Sequence, residues 1–131
     1  MGKTMSNNEE NPLVLYIVVR TSLNMSVGKI GAQIGHSIQY IMLRYQEIKQ
    51  SKQGYLFKEW MNEGNSRKVV LGASDNEWAK LKEEFEDGND CFIVRDAGFT
   101  EIPSGSETCM SIFPMYKNDA PKIIKRLQTL K

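Results

Sequence analysis

Lys29, Gln33, His36 and Tyr40 recur at helical spacing and set an amine, an amide, an imidazole and a phenol in one row. At about 100° per residue this row lies roughly 120° around the helix from an apolar stripe. That stripe comprises Ile30, Ile34, Ile38, Ile41, Tyr45 and Ile48. A helix that only filled a core would not require the polar row. Gly28 and Lys29 stand at its start, where backbone N–H groups without intrahelical partners can hold a phosphate or a developing oxyanion. Lys29 adds a full positive charge there, although the helix macrodipole slightly disfavours a cation in the first turn. A solvated lysine is the plain alternative.

Asp96 is the second group of interest. It could act as a general base on water, or it could be an Asx residue turning the chain into Ala97-Gly98. His36 could be a site imidazole or, the more common fate, a hydrogen-bonded and partly buried structural one. Thr100, Ser104, Ser106 and Thr108 gather hydroxyls in one region, where turn and cap roles compete with site roles. There is no Gly-x-Ser-x-Gly elbow and no Walker loop. One histidine and two cysteines are too few for a zinc site. These residues describe a polar site able to bind an anion and activate water.

The elements that must position them follow from periodicity. Residues 1–12 are polar and aperiodic and read as a flexible N-terminal tail, with residues 13–131 as one domain. The opening Met1-Gly2-Lys3-Thr4-Met5-Ser6 also fits the loose N-myristoylation pattern. Residues 13–19 form a continuous apolar, β-rich run, the mark of a strand buried on both faces. The long helix is expected over residues 28–51 and a shorter one over 55–62. Gly31 and Gly35 inside the first suggest close packing or close approach of a ligand. Strands are expected at 68–73, 91–94 and 108–113. Ser74-Asp75-Asn76-Glu77 is a capping box opening a helix with Trp78, Leu81 and Phe85 inward. A last helix is expected after Asp119-Ala120-Pro121, with Ile123, Ile124, Leu127 and Leu130 apolar.

This order predicts an α/β fold of three layers: a four-stranded mixed sheet with helices on both faces, its fourth strand antiparallel or on an edge. Ligands of open α/β sheets bind beyond the carboxyl ends of the parallel strands. If the first and third strands are parallel, Lys29 and Asp96 share that edge. Hydrophobic content of 40%, charged content of 25% and the lack of a long apolar run fit a soluble, cytoplasmic chain with no membrane span. Cys91 and Cys109 read as structural thiols of a reducing compartment. A net charge of only +1 means that any nucleic-acid partner needs a local basic patch.

Val18-Val19-Arg20-Thr21-Ser22-Leu23-Asn24-Met25, followed by Gly28-Lys29-Ile30-Gly31-Ala32-Gln33 and His36, resembles the N-terminal motif of type II peptidyl-tRNA hydrolases. Asp96-Ala97-Gly98-Phe99-Thr100-Glu101-Ile102-Pro103 and Ser104-Gly105-Ser106-Glu107-Thr108 are similar to that family's second block and its turn. The resemblance implies hydrolysis of the ester between a peptidyl group and the 3′ ribose of tRNA, with release of tRNA for reuse. It implies Lys29, Asp96, Thr100 and Thr108 as catalytic residues, and Gly28, Gln33, His36 and Ser106 on the substrate side. Peptidyl-tRNA is then the partner, no metal or cofactor is required, and a homodimer is an expectation. Phe99 and Glu101 stand where the family usually has Arg and Gln, Ser26-Val27 where the approach is usually Gly/Lys-rich, and Phe113 where a Gly usually precedes the Pro. Three of these departures remove positive charge or add negative charge near the expected RNA-facing edge. They leave an adaptor of the same fold, or a hydrolase of another acyl-tRNA ester, as alternatives.

Overall fold

Leu13–Arg20 forms β1, whose first seven residues are all buried. In the computed structural model, which describes residues 9–97 and 102–131, this strand is the centre of the sheet. It pairs in parallel with β2 (Lys68–Ala73) and antiparallel with β4 (Glu107–Ile112). β3 (Cys91–Arg95) pairs antiparallel with β4, so it runs in the same direction as β1. The fourth strand is antiparallel, as expected, but lies between β3 and β1.

The sheet has six strands rather than the expected four. The additions are β5 (Met115–Tyr116), which pairs with Leu13 and Val14, and β6 (Gln128–Thr129), which pairs with Leu71 and Gly72. Two-residue strands are too short for any alternation to declare them. β6 also truncates the expected last helix. α4 spans only Lys122–Arg126, and Leu130 N–H then donates to Val70 O at 2.9 Å along the β2 edge.

Alternate residues of β1 point to opposite faces. Leu13, Leu15 and Ile17 pack with Ile41, Tyr45, Phe57 and Trp60. These come from α1 (Val27–Glu47) and α2 (Lys52–Asn62). Val14, Tyr16 and Val18 pack with Trp78 and Leu81 of α3 (Asp75–Glu84) and with Ile124 of α4. The capping box of α3 is complete: Ser74 Oγ accepts from Glu77 N–H and Glu77 Oε1 accepts from Ser74 N–H.

α1 stops short of the expected residue 51 because Ser51 caps the next helix, accepting from Gly54 N–H at 3.0 Å. A Cβ on Gly54 would lie 2.2 Å from Ile48 O, so only glycine lets α2 start this close to the end of α1. The packing reading of Gly31 and Gly35 does not hold. Both are exposed, and among the described residues a Cβ at either would meet nothing within 4 Å.

Residues 1–8 of the expected tail, with the myristoylation-like pattern, lie outside the described residues. Asn11 and Pro12, at its end, are buried. Asn11 Oδ1 accepts from Asn118 N–H and Pro12 O from Lys117 N–H. No described helix is long and apolar enough to cross a membrane.

Cys91 and Cys109 are fully buried, and burial pushes each thiol up to about 12. Thiolate, not thiol, is the nucleophile. Both cysteines are therefore expected to resist iodoacetamide at pH 8 in the native protein and to react after denaturation, as read by mass spectrometry.

Candidate active site

β1 and β3 deliver the chain to the same edge of the sheet, α1 leaving from the end of β1 and Asp96 following β3. Ser26 caps α1 by accepting from Lys29 N–H at 3.2 Å, which uses one of the N–H groups expected to face a ligand. The helix is held on β4 by two bonds: Cys109 Sγ donates to Gln33 O and Ser111 Oγ to Ser37 O at 2.9 Å. Residues two apart on a strand thus grip carbonyls four apart on the helix. That grip sets the rotation of α1, and so where its polar row faces.

Asp96 is fixed by its backbone. Its N–H donates to Ser106 O and its carbonyl accepts from Gly105 N–H, each at 2.8 Å. Gly105 has φ +84°, a left-handed conformation that favours glycine. Between Val94 and Arg95 the β3–β4 register slips by one residue, leaving Thr108 unpaired on β4. This is a β-bulge, and bulges re-aim the side chains that follow. Thr108 is fully buried and donates from Oγ1 to Val94 O at 3.0 Å, tying down the bulge beside Asp96.

The Lys29 Nζ–Asp96 Oδ1 ion pair closes the site. Gln33 Nε2 also donates to Oδ1, at 3.4 Å. The Asp96 side chain is 3% exposed and that of Lys29 11%. Together with His36 and Tyr40 these residues line a pocket of about 270 Å³ whose other wall is Val94, Arg95 and Ala97. The full polar row of α1 faces one cavity. An ammonium and carboxylate paired in a largely buried position can orient water and stabilise an oxyanion, because electrostatic interactions are stronger there than in bulk water.

The structure thus brings Lys29, Gln33, His36 and Asp96 together. Gly28 sits exposed in the first turn of α1, outside the pocket wall. Ser106 Oγ donates to Pro103 O at 2.8 Å, and Thr108 faces the protein interior. Neither hydroxyl lines the pocket. Thr100 lies outside the described residues, as do Phe99 and Glu101. Among the described residues, no three or more His, Cys, Asp and Glu side chains are grouped to hold a metal ion.

Arg95 also lines the pocket, and no sequence signal marked it. It is half-exposed and bonds to Asp87 Oδ2 at 3.2 Å and Glu107 Oε2 at 3.4 Å. Burial works to raise the Glu107 carboxyl, but hydrogen bonds from Trp78 and Lys82 and the charges of Lys82 and Arg95 hold it below its usual value. Glu107 is thereby kept anionic as the anchor for this cation.

Thr108→Val keeps the shape of the side chain but removes the donor to Val94 O. It is expected to cost about 1–2 kcal/mol in urea denaturation and to lower turnover through a displaced Asp96. Thr108→Ser is expected to restore both.

A family model described as peptidyl-tRNA hydrolase PTH2 matches residues 13–130. The peptidyl-tRNA hydrolase of Thermococcus sibiricus is 35% identical over 113 residues, covering 86% of this chain and 92% of that protein. That of Methanococcus vannielii is 36% identical over 115 residues, covering 87% and 96%. A Caenorhabditis elegans protein named probable peptidyl-tRNA hydrolase 2 is 35% identical over 101 residues, 76% of this chain and 31% of its own length. The matched span runs from the first residue of β1 to the one that follows β6, and it includes both halves of the Lys29–Asp96 pair: the chain belongs to the peptidyl-tRNA hydrolase PTH2 family.

Proposed function

We propose that Asp96 and Lys29 carry out the ester hydrolysis of this peptidyl-tRNA hydrolase. Water held against the Asp96 carboxylate attacks the ester carbonyl carbon and passes a proton to the carboxylate. The Lys29 ammonium stabilises the negative charge that develops on the carbonyl oxygen. Collapse of the tetrahedral intermediate breaks the bond to the ribose 3′ oxygen, which takes up the proton. Free peptide and tRNA result, and the tRNA can be charged again. Gln33 holds Asp96 Oδ1, His36 borders the substrate, and Thr100 orients the water. Thr108 acts as a positioning residue through the bulge. The steps use no metal and no cofactor.

The observation that carries this reading is the ion pair of Lys29 with Asp96, nearly buried at a pocket wall. The sheet with its two separate helix-packed clusters supports a three-layer architecture. A role in translation supports a cytoplasmic location, and a homodimer remains part of the proposal. The test is release of free tRNA from N-acetyl-aminoacyl-tRNA by the wild type beside Asp96→Asn. Turnover by the wild type, lost in the variant, is expected. Equal turnover by both would remove Asp96 from the chemistry, and none by the folded wild type would overturn the hydrolase reading.

A further inference from the structure

Tyr40 stands eleven residues after Lys29 on the polar row of α1 and lines the same pocket. It is 42% exposed, although its ring lies 6.4 Å from that of Phe92 at an interplanar angle of 47°. Phe92 thus props the ring from the sheet side while much of the phenol stays open to the pocket. The ring and the Lys29–Asp96 pair line one pocket of about 270 Å³, with the ring further along α1.

We infer that Tyr40 is the platform on which the 3′-terminal base of the tRNA stacks while its ester lies at Lys29 and Asp96. The inference rests on the hydrolase reading and adds to it where the nucleoside goes. Single-stranded nucleic acid is held by aromatic faces combined with cations along the backbone. Tyr40 supplies the aromatic face here. His36, one turn before Tyr40 on α1, lines the pocket with it, and the pocket's carboxylate, Asp96, is already matched by Lys29. A rigid ring propped from behind suits a ligand that never varies, and the terminal nucleotide is the same in every tRNA. The peptide, by contrast, differs from one substrate to the next.

The test measures binding of deacylated tRNA, and of the same tRNA lacking its terminal adenosine, to wild type, Tyr40→Ala and Tyr40→Phe. KM and kcat for N-acetyl-aminoacyl-tRNA are measured beside it. Tyr40→Ala is expected to weaken binding of intact tRNA about 10-fold or more and to raise KM with kcat unchanged. It should not affect the truncated tRNA, and Tyr40→Phe should match the wild type throughout. Unchanged binding in Tyr40→Ala would overturn the inference. So would an equal loss on truncated tRNA, which would assign the ring to fold or phosphate contact. A defect confined to the peptidyl substrate would overturn it in favour of the peptide. Failure of the hydrolase reading is distinguishable, because it appears as absent turnover in the wild type, whereas the binding arm needs no turnover.

Discussion

Asp96→Asn is expected to lower kcat for N-acetyl-aminoacyl-tRNA hydrolysis by about 10²–10⁴-fold, the usual weight of a positioned acid–base group. The substitution is nearly isosteric and keeps an oxygen that can accept from Gln33 Nε2. The backbone bonds with Ser106 and Gly105 are untouched, so the residue should stay where it is. What is lost is the negative charge, and with it the ability to take a proton from water. Removing one partner of a fully buried ion pair costs about 3–5 kcal/mol. The cost here should fall below that, because Lys29 keeps some contact with solvent. A melting curve close to wild type beside collapsed turnover is therefore the expected pattern. Lys29→Met should damage turnover as well, and the double variant should be little worse than either single one, since groups that act as a unit are strongly non-additive.

Phe57→Ala is expected to remove about 3–5 kcal/mol of stability, the usual cost of emptying a large aromatic site. Phe57 has no exposed surface and is surrounded by rings. Tyr45 stacks on it at 4.5 Å, Trp60 is tilted at 5.1 Å, and Phe113 meets it edge-on at 5.9 Å. Trp60 cannot readily move into the space, because its Nε1 donates to Arg67 O at 2.7 Å. For a chain of this size the loss corresponds to a drop in Tm of roughly 10–20 °C. Thermal and urea unfolding would read it, and a loss under 1 kcal/mol would show that the cluster repacks. Phe57→Leu should cost clearly less. Well below the lowered Tm, kcat should survive in Phe57→Ala. The catalytic end of α1 is held on β4 by Cys109 and Ser111, a separate set of contacts. Equal losses of stability and kcat would show instead that the aromatic cluster positions the site.

Phe113 belongs to this cluster, which gives one departure from the usual family pattern a structural role. A phenyl ring before Pro114 fills space against Phe57, away from the pocket that holds Lys29 and Asp96.

Much of the architecture is legible in the sequence because its signals are local. The two stripes of α1 depend only on the 3.6-residue period, and the row Lys29, Gln33, His36, Tyr40 reappears intact along one pocket. The capping box at Ser74–Glu77 is a reciprocal contact within one turn, so four residues suffice to announce it. That Lys29 and Asp96 share an edge followed from strand order, conditional on parallel strands. The pairing of β1 and β3 through β4 supplies that condition.

Other features depend on partners far away in the chain, and no local period carries them. Thr108 read as one of several loop hydroxyls. Only the one-residue slip between β3 and β4 makes it the buried clamp of a bulge, and register is a property of two strands together. Gly54 is demanded by the end of α1 lying against it, whereas Gly31 and Gly35, conspicuous inside a helix, meet no described neighbour at a Cβ position. β5 and β6 are strands only because an edge lies beside them. The exposure of Tyr40 and its support by Phe92 join residues 52 apart in the sequence (92 − 40), through the docking of α1 on the sheet. Helical period and caps are written in neighbouring residues, while the depth of a pocket and the aim of each group within it depend on how separate elements pack.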